Sequence, residues 1–116
     1  MIAVIFEVIV QPGGEGEYFA RAADLRPTLE TNEGFISVER FRSLADPAKI
    51  LSLSFWRDED AVRAWRMQES HRAAQAVGRA GLFDDYRLRV AQVLRDYGLT
   101  QRSEVPDGRR SGEVLR

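Results

Sequence analysis

Residues 2 to 10 read IAVIFEVIV. β-Branched and aromatic side chains fill both alternation parities of this run, so the pattern predicts a strand covered on both faces. It is too short to span a bilayer, has no basic leader or small-residue cleavage site, and carries Glu7 in its middle. A strand is therefore expected rather than a signal segment, in a cytoplasmic protein. A carboxylate in such a strand is costly unless paired. Glu7 is thus expected to face a pocket, an arginine such as Arg87 or Arg89, or the strand's wet end.

Working outward, QPGGEG is a turn marked by Pro12, Gly13 and Gly14. EYFARAADLRPTLETNEG then sets Phe19, Ala22, Ala23 and Leu29 on a helical stripe that ends near Asn32 and Gly34. Pro27 predicts a kink or a restart in that helix. In FISVERFRS, Phe35, Ser37, Glu39 and Phe41 alternate against Ile36, Val38 and Arg40, as a second strand does; LADPAK turns the chain into a third, KILSLSFW. Asp58 is placed to cap a following helix, with Glu59 and Asp60 in its first turn. GLFDDYRLRVAQVL reads as a fourth strand, with Tyr86, Leu88, Val90 and Leu94 on one parity and Arg87 and Arg89 on the other.

The resulting order, β-α-β-β-α-β, predicts an α+β, ferredoxin-like subunit with both helices on one face of an antiparallel sheet. The other face must also be covered, because the first strand is apolar on both parities. A two-fold homodimer packed sheet to sheet, a dimeric α+β barrel, is the expected solution. The domain is expected over residues 1–97, with residues 98–116 as a polar tail.

The 116 residues carry 17 basic against 18 acidic side chains, so no net positive field draws nucleic acid or an anionic membrane surface. Asp and Glu interrupt the local basic clusters, which read as solvated faces. With no cysteine, the chain supplies no disulfide, thiolate nucleophile or Cys-ligated centre.

Chemistry-bearing residues gather in SFWRDEDAVRAWRMQESHRAA, residues 54 to 74, which holds both tryptophans, Trp56 and Trp65, and the sole histidine, His71. Burial habits alone make both tryptophans core residues. Six residues separate Trp65 from His71, so on one unbroken helix they point apart. A restart capped by Ser70 instead turns His71 toward the sheet, on a face shared with Ala74, Gln75 and Gly78. There His71 is either a proton-transfer group or a hydrogen-bonded structural one.

This motif, with EGF at the second strand and DDYRLRV on the fourth, resembles the antibiotic biosynthesis monooxygenase family of dimeric α+β barrels. The resemblance implies a ligand pocket between sheet and helices in each subunit. Heme-degrading members of that family carry Asn, Trp and His where this chain, aligned through Gly14 and Gly34–Phe35, has Glu7, Trp65 and Gln75. Quinol-oxidising members carry Trp, Asn and His where it has Trp56, Ser52 and about Phe41. One tryptophan survives from each set, and without the iron-ligating histidine no stoichiometric heme is expected.

The resemblance thus implies a cofactor-independent, metal-free monooxygenase acting on a small aromatic or polyketide-like molecule. His71 or Glu7 would be its base, and Trp65, Trp56, Gln75, Phe41 and Ser52 would line the ligand. A non-catalytic dimeric module that binds a metabolite is the alternative reading, and heme binding without the usual ligand geometry is a third.

Overall fold

The computed structural model describes residues 1–67 and 81–106. Six elements follow one another: β1 (Ile2–Val10), α1 (Glu15–Glu30), β2 (Phe35–Arg42), β3 (Lys49–Trp56), α2 (Glu59–Trp65) and β4 (Phe83–Gln92). The expected βαββαβ order is the observed one. The strands form one sheet in the order β2-β3-β1-β4, and every neighbouring pair is antiparallel. No helix among the described residues is long and apolar enough to cross a membrane.

β1 takes a central place because it is the strand able to bury both faces. Its even-numbered residues look toward the helices. Ile2 joins Leu29, Val38, Trp56, Ala61, Val62 and Trp65 in one buried cluster, while Val8 and Val10 join Tyr18 and Ile50 in another. Its odd-numbered residues lie on the opposite face. There the register sets Ala3, Ile5, Glu7 and Ile9 beside Phe55, Leu53, Leu51 and Lys49 of β3.

Three local expectations are corrected. α1 runs without a break through Pro27. Pro27 and Ala23, whose carbonyl loses its helical donor there, are both exposed, so water can serve that carbonyl. The buried stripe of α1 is Tyr18 and Leu29, with Ala22 and Leu25 half-buried between them. Phe19, one residue out of phase with Tyr18, is 37% exposed. In β2 the alternation fails at its start, where a register shift between Phe35 and Ser37 lets Phe35 pack with the Val38 cluster and leaves Ile36 exposed.

Gly34 brings the start of β2 against α2. Its φ is +89°, and a Cβ there would lie 2.6 Å from the Cβ of Ala61, so only glycine fits. The Arg57 amide donates to the Gly34 carbonyl at 2.7 Å and fixes the approach. One residue on, Asp58 caps α2 by accepting from the Ala61 amide at 2.9 Å.

That amide, and then the Arg57 guanidinium, hold the Asp58 carboxyl below its ordinary 3.8. A depressed carboxyl stabilises the fold above its unfolded pKa, and the contribution is lost as pH falls through the folded value. An asparagine in its place would keep the capping oxygen without the titration. Asp58→Asn should therefore change the urea midpoint little at neutral pH and make its decline shallower below about pH 4. An unaltered acid limb would contradict this account of the cap.

Candidate functional site

The helix-facing side of the sheet is built in rows fixed by the strand register. At one end Trp56 stands beside Ile2. Its indole nitrogen donates to the Ser54 hydroxyl at 2.9 Å, and its ring meets Phe35 and Trp65 at centroid distances of 5.4 and 6.5 Å. Trp65 reaches this end because α2 is amphipathic, with Ala61, Val62 and Trp65 on its buried side. At the other end Tyr18, Phe83 and Tyr86, joined from the middle row by Phe6, form a chain of edge and tilted ring contacts, 5.7–6.4 Å between centroids.

Among the described residues these ends form two separate buried clusters. The two core clusters share no residue, and the middle row of the sheet runs Arg40, Ser52, Phe6, Leu88 across all four strands. Arg40, Ser52 and Phe6 are half-buried, and Leu88 is exposed. Val4 and Val90 extend the apolar part by one row. At Val90 the surface continues into an open cleft of about 410 Å³ beside α2, walled by Val62, Met67 and Val90 with Glu59, Arg63 and Arg66 also lining it. A cleft of about 400 Å³ between the end of α1 and α2 is the more polar of the two, lined by Thr28, Thr31, Asn32, Glu33, Arg57 and Asp60 among others.

The two serines on this side of β3 differ in role. Ser54 is committed to Trp56, whereas Ser52 stands in register with Arg40. Among the described residues, Arg40 Nε is the buried side-chain polar atom without a hydrogen-bond partner. Arg42, two residues on and on the same side, is held by the Glu15 carboxylate and the Pro47 carbonyl. Buried N–H groups are paired in nearly all native interiors, so such an orphan marks a place where a partner fits.

Of the residues singled out from the sequence, Trp56 and Trp65 meet on the helix side, and Ser52 lies on the same side two rows away. Glu7 and Phe41 do not join them. Both lie on the opposite face, in a row with Leu51. Glu7 there accepts from Arg89 at 2.8 Å and pairs with Lys49 at 3.5 Å. The Arg89 hydrogen bond, aided by Lys49 and opposed by desolvation, holds its carboxyl below the ordinary 4.5. His71 and Gln75, and the helix restart expected at Ser70, lie outside the described residues. Arg40, Phe6, Val4 and Leu88 were not singled out from the sequence. The available signal was parity, since Arg40 alternates in phase with the core residue Val38.

The opposite face presents half-buried Ile5, Ile9, Leu51, Leu53 and Phe55, with no described helix upon it. It is the face the sequence assigns to a second subunit.

Comparison with known proteins adds four findings. The family model for antibiotic biosynthesis monooxygenase matches residues 1–77. The chain is 44% identical over 116 residues to a jasmonate monooxygenase of Pyricularia oryzae, covering 98% of this chain and 54% of that protein, so it spans about half of that relative's length. It is 33% identical over 94 residues to the uncharacterized protein YqjZ of Bacillus subtilis, covering 80% and 79% of the two chains. Among solved structures, a variant of SnoaB, a cofactor-independent oxygenase from Streptomyces nogalater, superposes with a TM-score of 0.70 at 16% identity over 82% of this chain and 94% of that one, which is a likeness of fold.

Proposed function

The chain belongs to the antibiotic biosynthesis monooxygenase family, and from that premise we propose that it is a cofactor-independent monooxygenase. Its substrate would be a small, largely apolar molecule held between sheet and helices. The observation that carries the reading is the middle row of the helix side, where among the described residues Arg40 and Ser52, polar and half-buried, stand beside Phe6 and exposed Leu88 between two separate buried clusters. The homodimer packed through the opposite face belongs to the same proposal.

The chemistry asks little of the protein beyond a base and a dry pocket. The base removes a proton from a carbon next to a carbonyl, or from a phenol, and leaves an electron-rich anion. The anion passes one electron to O₂, and recombination of the pair forms a C–O bond and a hydroperoxide. Loss of water from that hydroperoxide converts a CH₂ group into C=O. One oxygen atom of O₂ stays in the product and the other leaves as water, with all four electrons supplied by the substrate. Apolar walls at Val4, Phe6 and the tryptophan end exclude water from the radical pair.

His71 is the residue we assign as base, because its unperturbed pKa lies near neutrality. Glu7 suits the task poorly, since its ion pairs make it a weaker base and its face is the other one. The relative from Pyricularia oryzae makes jasmonate the first molecule to try. Its ketone is enolisable, as the mechanism requires.

His71→Ala should cut the rate of O₂ uptake with jasmonate by about a hundredfold or more, with jasmonate affinity and the urea midpoint nearly unchanged. A large fall in the midpoint, with unaltered turnover by the protein that remains folded, would make His71 a structural residue and remove it from the mechanism.

A further inference from the structure

We propose that Arg40 and Ser52 form the anion-binding end of the helix-side site, where they receive the carboxylate of an otherwise apolar ligand. The proposal rests on the reading above that this site holds a small molecule. Its independent observation is the orphaned nitrogen: Arg40 Nε is buried and has no acceptor among the described residues.

Glu39 and Glu15 are turned elsewhere. Glu39 lies on the opposite face by strand parity, in register with Leu53, and Glu15 is bonded to Arg42. The cation of Arg40 therefore stands on the helix side of β2 without an acid among these to hold it, with Ser52 as its register neighbour on β3. A guanidinium presents its Nε and Nη donors as a planar fork that matches the two oxygens of a carboxylate. The charge count favours the same ligand. One arginine neutralises a carboxylate, whereas a phosphate dianion would leave a charge uncompensated in a half-buried site.

The rest of the row fixes the ligand's body. β2 and β1 are two strand spacings apart, so Phe6 lies about 10 Å from Arg40 along the sheet. Val4, Leu88 and Val90 continue the apolar surface from there toward the cleft beside α2. A molecule with a carboxylate at one end and about 10 Å of hydrocarbon and ring fits that layout. Such a ligand is oriented by its charge, which brings the same carbon of its apolar body to the base in every encounter.

The test compares jasmonate with its uncharged methyl ester, by calorimetric titration of wild type and Arg40→Met. Wild type should hold the acid about ten- to a hundredfold more tightly than the ester, the usual worth of a charge-assisted hydrogen bond. In Arg40→Met the preference should vanish while ester affinity stays within about twofold, since uncharged contacts are retained. The urea midpoint of ligand-free Arg40→Met should be no lower than that of wild type, because the substitution removes an unpaired buried donor.

Equal affinities in wild type, or a preference that survives in Arg40→Met, overturn the assignment while leaving the pocket in place. A lowered midpoint with both ligands lost makes Arg40 a structural residue and overturns it equally. If neither ligand binds wild type, the pocket reading fails and this one fails with it.

Discussion

Leu53→Asp is expected to convert the protein from a dimer to a monomer at micromolar concentration. Leu53 sits in the middle of the helix-free face, in register with Ile5 on one side and Glu39 on the other. Around it Ile5, Ile9, Leu51 and Phe55 are half-buried with no described helix upon them, and a contiguous apolar face of this kind calls for a covering partner. A two-fold interface uses each residue twice, so the substitution buries two unpaired carboxylates. At several kcal/mol for each, the dimer should weaken by about a thousandfold or more. Sedimentation equilibrium of wild type and variant reads this directly. The helix-side core is not touched, so the variant should retain its far-ultraviolet circular dichroism. A wild type that sediments as a monomer at micromolar concentration would contradict the sheet-to-sheet dimer.

Trp56→Ala should be the most damaging single truncation among the described residues. Trp56 is 2% exposed, packs on Phe35 and Trp65, and ties its ring nitrogen to Ser54. Removing a buried aromatic ring of this kind costs about 3–5 kcal/mol. That is a large share of a small domain's total stability of about 5–15 kcal/mol. Trp56→Phe should cost less, since it keeps most of the apolar volume and leaves the Ser54 oxygen without its donor. Urea denaturation of the two variants checks the order. A loss below about 1 kcal/mol for Trp56→Ala would mean that this end of the sheet is open rather than solid.

The element order was legible because each segment carries its own period. Apolar IAVIFEVIV, the alternation of FISVERF, the acidic start of DEDAVRAW and the breakers at Gly13 and Gly34 are local signals, and local signals survive tertiary packing. That an acid in an apolar strand needs a cation left Arg87 and Arg89 both open for Glu7, beside a pocket and the wet end, and the fold selects Arg89.

What failed to show was which side is which. β1 is apolar on both parities, so nothing in its sequence says that Val8 rather than Ile9 faces the helices. That choice decides that Glu7 and Phe41 lie away from Ser52, and it is made by long-range packing. The phase of α1 slipped for a similar cause. Tyr18 and Phe19 are adjacent aromatics, Ala22 and Ala23 adjacent alanines, and either set makes a stripe until the sheet selects one. Arg40 was visible by parity beside Val38, yet a charged residue in an alternating strand reads as solvent-facing. Only its orphaned nitrogen reveals otherwise.

The most direct test of the account is the fate of labelled oxygen. Purified protein incubated with jasmonate under ¹⁸O₂ should yield a product carrying one ¹⁸O atom, with oxygen uptake matched to product formed and no added reductant. Binding of jasmonate without oxygen uptake or label in any product would contradict it, and would leave a domain that holds a small molecule and does not oxidise it.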